Sequence, residues 1–317
     1  MSPEARRALV DVAAAGSAMY PDPEAFELKS VLAEVHHLES KQIVVGCGSD
    51  ELIHLCARAF LGETDSTVIS QYSFASYKLA IEAMGAEVVI VPANGYEPDL
   101  SAMLEGIRRD TKLLYLANPN NPTGTFHGLH AVKTFLMSVP RRVVVVLDEA
   151  YSEYLQDEDK TDLAGLIHLH PNLVVLRTFS KAYGLAALRI GFAATSPELA
   201  GILNRLRLPF NTSSLAQAAA VAALGDTHHL LATREANFLA LAQLRSGISA
   251  LGLTTEGVSG NFVMMHVDNA IRIYERLLAK GIIVRPLMPY GLRDWLRISC
   301  GLPQDNARFL RTLTTLL

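Results

Sequence analysis

Cysteine is scarce in this sequence, tryptophan is nearly absent, and neither sign of charge dominates. Each shortage removes a class of function. Only three cysteines occur in 317 residues, Cys47, Cys56 and Cys300. They form no CxxC pair and lie in apolar surroundings, which excludes a disulfide-built scaffold or a thiolate metal knuckle. They point instead to reduced, structural thiols in a cytoplasmic protein. The net charge is −4, and basic residues gather only as the pairs Arg6-Arg7, Arg108-Arg109 and Arg141-Arg142. That is no electrostatic footprint for nucleic acid. No apolar run approaches the ~18 residues of a membrane-crossing helix. The start of the chain, Met1-Ser2-Pro3-Glu4-Ala5, lacks a signal-peptide core and reads as an N-cap serine and first-turn proline opening an amphipathic helix. The histidine pairs His36-His37 and His228-His229 have no partners at zinc-ligand spacing and belong on surfaces or helix faces.

What is present is an ordinary globular composition, 50% hydrophobic and 19% charged, with 21 glycines and 14 prolines. A chain of this length accommodates one large and one smaller domain. Residues 4–15 and 24–37 read as helices around the turn Tyr20-Pro21-Asp22-Pro23. Short apolar strands at 42–45, 67–70, 87–91, 112–116, 143–147 and 173–176 then alternate with helices at 51–61, 74–84, 99–108 and 128–138. This alternation predicts an α/β fold with a mostly parallel, doubly wound sheet, whose ligands sit at the carboxyl ends of the strands. From residue 208 the pattern changes. Helices at 215–224, 227–250 and 269–279 and strands at 262–267, 282–285 and 295–299 predict a smaller α+β unit. The expected domains are 38–207 for the large one, and 1–37 with 208–317 for the small one.

The candidate site residues fall at the predicted strand ends. Lys181, in Arg177-Thr178-Phe179-Ser180-Lys181, follows a buried strand. Thr178 and Ser180 precede it and Arg189 follows, a set of hydroxyls and a fixed cation that can hold a phosphate and depress the pKa of a nearby amine. A lysine that loses its proton can attack a carbonyl, the chemistry of a Schiff base with pyridoxal 5'-phosphate (PLP). Val143-Val144-Val145-Val146-Leu147 delivers Asp148 to a strand end, where a carboxylate is costly without a cationic partner. A pyridinium nitrogen is one such partner and a capped turn is the alternative. Gly46-Cys47-Gly48-Ser49-Asp50 joins a strand to a helix and makes a potential anion site, or a plain turn. Asn118-Pro119-Asn120-Asn121-Pro122-Thr123-Gly124 is a rigid turn able to aim an amide at a ligand.

In this order, Asn120-Asn121-Pro122-Thr123-Gly124, Asp148-Glu149-Ala150-Tyr151, Thr178-Phe179-Ser180-Lys181 and Leu188-Arg189-Ile190-Gly191 resemble the class I/II aminotransferases of PLP fold type I. The resemblance runs from about Tyr20 to Leu302. It is closest to the histidinol-phosphate aminotransferase branch, through Tyr20-Pro21-Asp22, Gly48-Ser49-Asp50-Glu51, Gly281-Ile282-Ile283-Val284-Arg285-Pro286 and Leu296-Arg297-Ile298-Ser299.

The resemblance implies roles for individual residues. Lys181 is the Schiff-base lysine and general base, Asp148 pairs with the pyridine nitrogen, and Asn121 and Tyr151 donate to the ring oxygen. Tyr72 stacks on the pyridine, with a core tyrosine as the alternative. Ser49, Asp50, Thr178, Ser180 and Arg189 hold the cofactor phosphate, and Tyr20 reaches it from the second subunit of a homodimer. Arg297 grips the substrate carboxylate, with Arg285 either as helper for a phosphate dianion or in a strand-edge ion pair. The implied reaction is amino transfer between histidinol phosphate and 2-oxoglutarate in histidine biosynthesis.

Two departures bear on this. Family members begin earlier, with an Asn-Glu-Asn-Pro-type segment over the substrate pocket, so the pattern implies a misassigned start, a truncation or an open pocket. Pro289 and Arg293 stand close to the presumed substrate arginines and are expected to alter specificity. The rival readings are an aromatic-amino-acid aminotransferase, a threonine-phosphate decarboxylase, and a non-catalytic relative that keeps the fold. A dinucleotide-binding enzyme fits poorly, because Gly46-x-Gly48 lacks a third glycine and no acidic residue ends the strand at 67–70.

Overall fold

The computed structural model describes residues 1–16, 18–257 and 259–317. Its first half runs α1 (Pro3–Ala15), α2 (Phe26–His36), β1 (Ile43–Gly46), α3 (Gly48–Phe60), β2 (Ser66–Ser70), α4 (Ala75–Glu82) and β3 (Glu87–Val91). A short hairpin, β4 (Ala93–Asn94) and β5 (Glu97–Pro98), leads to α5 (Leu100–Glu105), β6 (Thr111–Ala117), α6 (Leu129–Ser138) and β7 (Val144–Asp148). Then come α7 (Leu163–Leu169), β8 (Leu173–Thr178), β9 (Gly191–Thr195), α8 (Pro197–Leu206) and α9 (Ser214–Gly225). The C-terminal part is α10 (Thr227–Ala250), β10 (Thr255–Glu256), β11 (Phe262–His266), α11 (Ala270–Ala279), β12 (Arg285–Pro286), β13 (Trp295–Ser299) and α12 (Pro303–Thr314).

Seven strands form one sheet in the order β1-β9-β8-β7-β6-β2-β3. β8, β7, β6, β2 and β3 pair in parallel, and β9 runs antiparallel to both its neighbours. Helices cover both faces, which is why the strands are continuous apolar runs rather than alternating ones. Successive side chains still serve different cores. On β6, Leu114 and Leu116 join one core, while Leu113, Tyr115 and Ala117 join another with residues of α3, α4 and α8.

The same two-residue period carries on past the apolar positions. Val146 and Asp148 of β7 fall on the α3/α4 face, as do Leu176 and Thr178 of β8. Glu149 and Arg177 are therefore left on the opposite face, where Arg177 Nε donates to Glu149 Oε2 at 2.8 Å and both side chains are buried. One strand end thus presents a lone carboxyl to one side of the sheet and an ion-paired one to the other. A second sheet, antiparallel in the order β10-β11-β13-β12, is covered by Leu244 and Ile248 of α10, Ile273 and Leu277 of α11, and Phe309 and Leu313 of α12.

The expected N-cap is in place, with Ala5 N–H donating to Ser2 Oγ at 3.0 Å. Other expectations need correction. The expected grouping of 1–37 and all of 208–317 into one small unit is not how these side chains are buried. Ala5, Leu28 and Leu32, together with Ala216, Ala219, Ala220 and Ala223 of α9, share a core with the large sheet. Periodicity marks the apolar face of a helix but names no partner, and the small residues of α9 let α1 lie close along it. Between Lys181 and α8, where no element is expected above, the chain forms a 3-10 turn, Ala186–Leu188, and the antiparallel strand β9. The strand expected at 282–285 is only Arg285–Pro286, and α7, α8 and α12 had no counterpart in the sequence reading.

Because Ala5 is fully buried against this core, enlarging it should strain the packing. Ala5→Leu is expected to cost about 1–3 kcal/mol, seen as a lower urea midpoint. An unmoved midpoint would show that α1 is peripheral.

Candidate active site

The carboxyl ends of β6, β7 and β8 open onto one cavity of about 460 Å³. Lys181, Asp148, Asn121, Arg189 and Arg297 all line it, although up to 176 residues separate directly bonded partners across it.

Asp148 lies at its floor. It is buried and accepts hydrogen bonds from Tyr77 Oη at 2.8 Å and from the Ala150 backbone N–H at 3.1 Å. Tyr77 is itself buried on α4. Its ring stacks on Tyr115 at 4.8 Å, and the Tyr115 hydroxyl donates to the Ile53 carbonyl at 2.8 Å. Burial pushes the Asp148 carboxyl up to about 6, against the opposing pull of the Tyr77 and Ala150 hydrogen bonds and of the Lys181 charge. A carboxyl in this position lacks a direct cationic partner, and a cationic group in the cavity would favour its charged form.

Lys181 is half-buried, with Nζ 5.3 Å from the centroid of the Tyr151 ring. Burial lowers its pKa, the Arg297 and Arg189 cations act in the same direction, and Asp148 opposes them. An amine so placed gives up its proton more readily, which a nucleophilic lysine requires.

On one side of this pair is an anion cup. The first turn of α3 brings Ser49 and Asp50 to the cavity, with backbone N–H groups that have no partner inside the helix. Arg189, in a left-handed conformation at φ 55°, closes the cup. Its Nη1 donates to Ser180 Oγ at 3.3 Å and to the Ala186 carbonyl at 3.1 Å. Two glycines make the approach possible. A Cβ on Gly48, whose φ is +80°, would lie 2.4 Å from Arg189 Nη2, and one on Gly191 would lie 2.7 Å from the Ser49 nitrogen. Ser76 Oγ donates to Asp50 Oδ1, turning that carboxylate toward α4.

On the other side is a wall of two arginines. Arg285 and Arg297 are direct partners in the β12–β13 register, and both line the cavity. Like charges placed opposite one another repel, and an anion between them relieves this. Arg297 Nη1 donates to Asn121 Oδ1, its guanidinium carbon is 4.9 Å from the Phe262 ring, and its buried Nε has no hydrogen-bond partner among the described residues. Arginine has no acceptor, so this contact assigns the oxygen of Asn121 to Arg297 and leaves the amide NH2 free. The cavity therefore offers two anion-binding ends, with an amine and a carboxyl between them.

All the side chains expected at the site line this cavity except Tyr72 and Tyr20. Tyr72 turns away, packing with Tyr96 at 6.2 Å in a cluster around Trp295. Its backbone is left-handed, φ 60°, and Phe74, two residues on, lines the cavity. Tyr20 is 79% exposed and stacks on Phe210 at 4.7 Å. Arg293 is exposed and does not line the cavity. The sequence reading missed Phe74, Tyr77 and Tyr290. The first two stand three residues apart at the start of α4, a helical spacing that could have signalled a shared face.

The pattern of the aminotransferase class I and II family matches residues 1–313. Histidinol-phosphate aminotransferase 1 of Cupriavidus pinatubonensis is 47% identical over 315 residues, covering 98% of this chain and 84% of that protein. Histidinol-phosphate aminotransferase 2 of Ralstonia nicotianae is 47% identical over 99% of this chain and 85% of its own length. Among solved structures, the histidinol-phosphate aminotransferase of Sinorhizobium meliloti in complex with pyridoxal-5'-phosphate superposes with a TM-score of 0.93. It is 29% identical and covers 100% of this chain and 88% of its own. With the family pattern spanning the chain and the fold and the cavity in agreement with it, this protein belongs to the class I and II aminotransferases.

Proposed function

We propose that this chain binds pyridoxal 5'-phosphate and moves an amino group between histidinol phosphate and 2-oxoglutarate. The observation that carries the reading is the placement of Lys181 and Asp148 between an anion cup and a pair of arginines. The cup matches a phosphate dianion, and the carboxyl matches a protonated ring nitrogen. When bound, PLP supplies an electron sink for the negative charge left on the substrate Cα.

The chain's own groups do the rest. Ser49, Asp50, Thr178, Ser180 and Arg189 hold the phosphate. Asp148, kept in place by Tyr77 and Ala150, holds a proton on the pyridine nitrogen. Asn121 and Tyr151 would serve as hydrogen-bond donors to the cofactor, and Phe74 would give it an aromatic wall. Lys181, whose lowered pKa favours the neutral amine, would anchor the cofactor and would serve as the general base at the substrate Cα. Arg297, planar and bidentate, takes the carboxylate of glutamate or the phosphate of histidinol phosphate, with Arg285 adding charge for the dianion.

We further propose a cytoplasmic homodimer. Among the described residues no helix is long and apolar enough to cross a membrane, and the three cysteines are free. Tyr20, Phe26, Leu208 and Phe210 form an exposed apolar surface, 42–79% accessible, the kind of patch that marks an association site. From it Tyr20 would reach the partner's cup.

Protein mixed with PLP is expected to show a visible absorbance band that histidinol phosphate bleaches and that Lys181→Ala lacks. Glutamate produced with 2-oxoglutarate as acceptor separates amino transfer from decarboxylation. A wild-type protein with no band would overturn the reading.

The two arginines should separate in kinetics. Arg297→Lys is expected to raise KM roughly tenfold for both substrates, whereas Arg285→Ala raises it only for histidinol phosphate. Equal effects on glutamate would remove the phosphate role from Arg285. In sedimentation equilibrium the wild type should run as a dimer and the double variant Phe26→Asp/Leu208→Asp as a monomer.

A further inference from the structure

The cup's amides are useful only while the turn from β1 into α3 holds its pitch. Behind that turn, outside the cavity, lies a hydrogen-bonded brace. Glu51 Oε2 accepts the Cys47 backbone N–H at 2.5 Å and Asn211 Nδ2 at 2.7 Å. Asn211 Nδ2 also donates to the Val45 carbonyl at 3.2 Å, and Arg207 Nη1 donates to Asn211 Oδ1 at 2.8 Å. The chemistry fixes the orientation of the Asn211 amide. Arg207 has only donors and must face the oxygen, and an ionised Glu51 has only acceptors and must face the NH2. The Arg207 side chain is only 6% exposed, so this contact is held within the fold.

The backbone of Cys47 is consequently held at both its N–H and its carbonyl, in two successive peptide groups. Its N–H is taken by Glu51, and its carbonyl accepts Arg189 Nη2 at 3.4 Å. The amides that follow, those of Ser49 and Asp50, have no partner inside the helix and belong to residues that line the cavity. Charge cannot explain the glutamate, since a carboxylate this close to an anion cup opposes the anion. What it provides is an acceptor in the right place.

We propose that Glu51 and Asn211, which do not line the cavity, are positioning residues that set the geometry of the cup for a phosphate-bearing ligand. This rests on the reading of the cup as the PLP phosphate site. The brace also starts one residue beyond Phe210, whose ring stacks on Tyr20, so it ties the exposed apolar surface to the cup.

The test compares PLP with pyridoxal, which has the same aldehyde but no phosphate, by titrating each into the full chain and following the visible absorbance. Glu51→Ala and Asn211→Ala are expected to weaken PLP roughly tenfold and leave pyridoxal unchanged. Glu51→Gln, whose side-chain oxygen can accept both hydrogen bonds, should restore PLP binding to the wild-type level or above. Thermal melts confirm that the variants are folded. Equal weakening of PLP and pyridoxal, unchanged PLP affinity, or a Glu51→Gln variant as weak as Glu51→Ala would each overturn the proposal. Failure of the wild type to bind PLP at all would instead overturn the reading of the site itself.

Discussion

A carboxyl group buried at the end of an otherwise apolar strand is the constraint on which the rest of the site depends. Asp148 continues the two-residue alternation of β7, so it emerges on the face covered by α3 and α4. Tyr77 and the Ala150 amide satisfy its oxygens, yet burial still holds its pKa up at about 6. A cation on the cavity side would relieve that residual cost. Tyr77 can do its part only because its ring is clamped on Tyr115, which is tied to α3 through the Ile53 carbonyl.

Neighbouring charges are sorted by the same alternation. Glu149 and Arg177, each one residue from a cavity-lining group, fall on the opposite face. There Arg177 Nη2 and Nε engage Glu149 Oε2 at 2.6 and 2.8 Å, and Thr161 adds a hydrogen bond at 2.7 Å. Glu153 joins at 3.6 Å from Arg177, and burial raises its pKa. Had the register slipped by one residue, the ion-paired glutamate would face the cavity and the lone carboxyl would be lost in the core. The strand period therefore decides which acid is available for chemistry.

The two sheets contribute opposite ends of the cavity. The large sheet supplies the lysine, the carboxyl and the anion cup, and the small sheet supplies Arg285 and Arg297 as cross-strand partners. Asn121, from the turn after β6, meets Arg297 between them. The site exists only where the two sheets face each other.

Much of this was legible in the chain. Most runs of branched apolar residues announced a strand, Ile282-Ile283-Val284 being an exception, and the polar residues that follow, Asn121, Asp148, Thr178 and Lys181, had to stand at strand ends. Ser2 and Pro3 announced the first helix, and Gly46-Cys47-Gly48 announced the turn from a strand into a helix N-terminus. Local order, spacing and residue chemistry carry such facts. The sequence pointed to Tyr72, whereas Phe74 lines the cavity and Tyr72 packs toward Tyr96. It could not place α1 and α2 on the large sheet, find Tyr77 beneath Asp148, or connect Asn211 to Glu51 across 160 positions. An apolar stripe or a polar side chain states what it needs but not which distant segment supplies it, and that choice is made only when the chain packs.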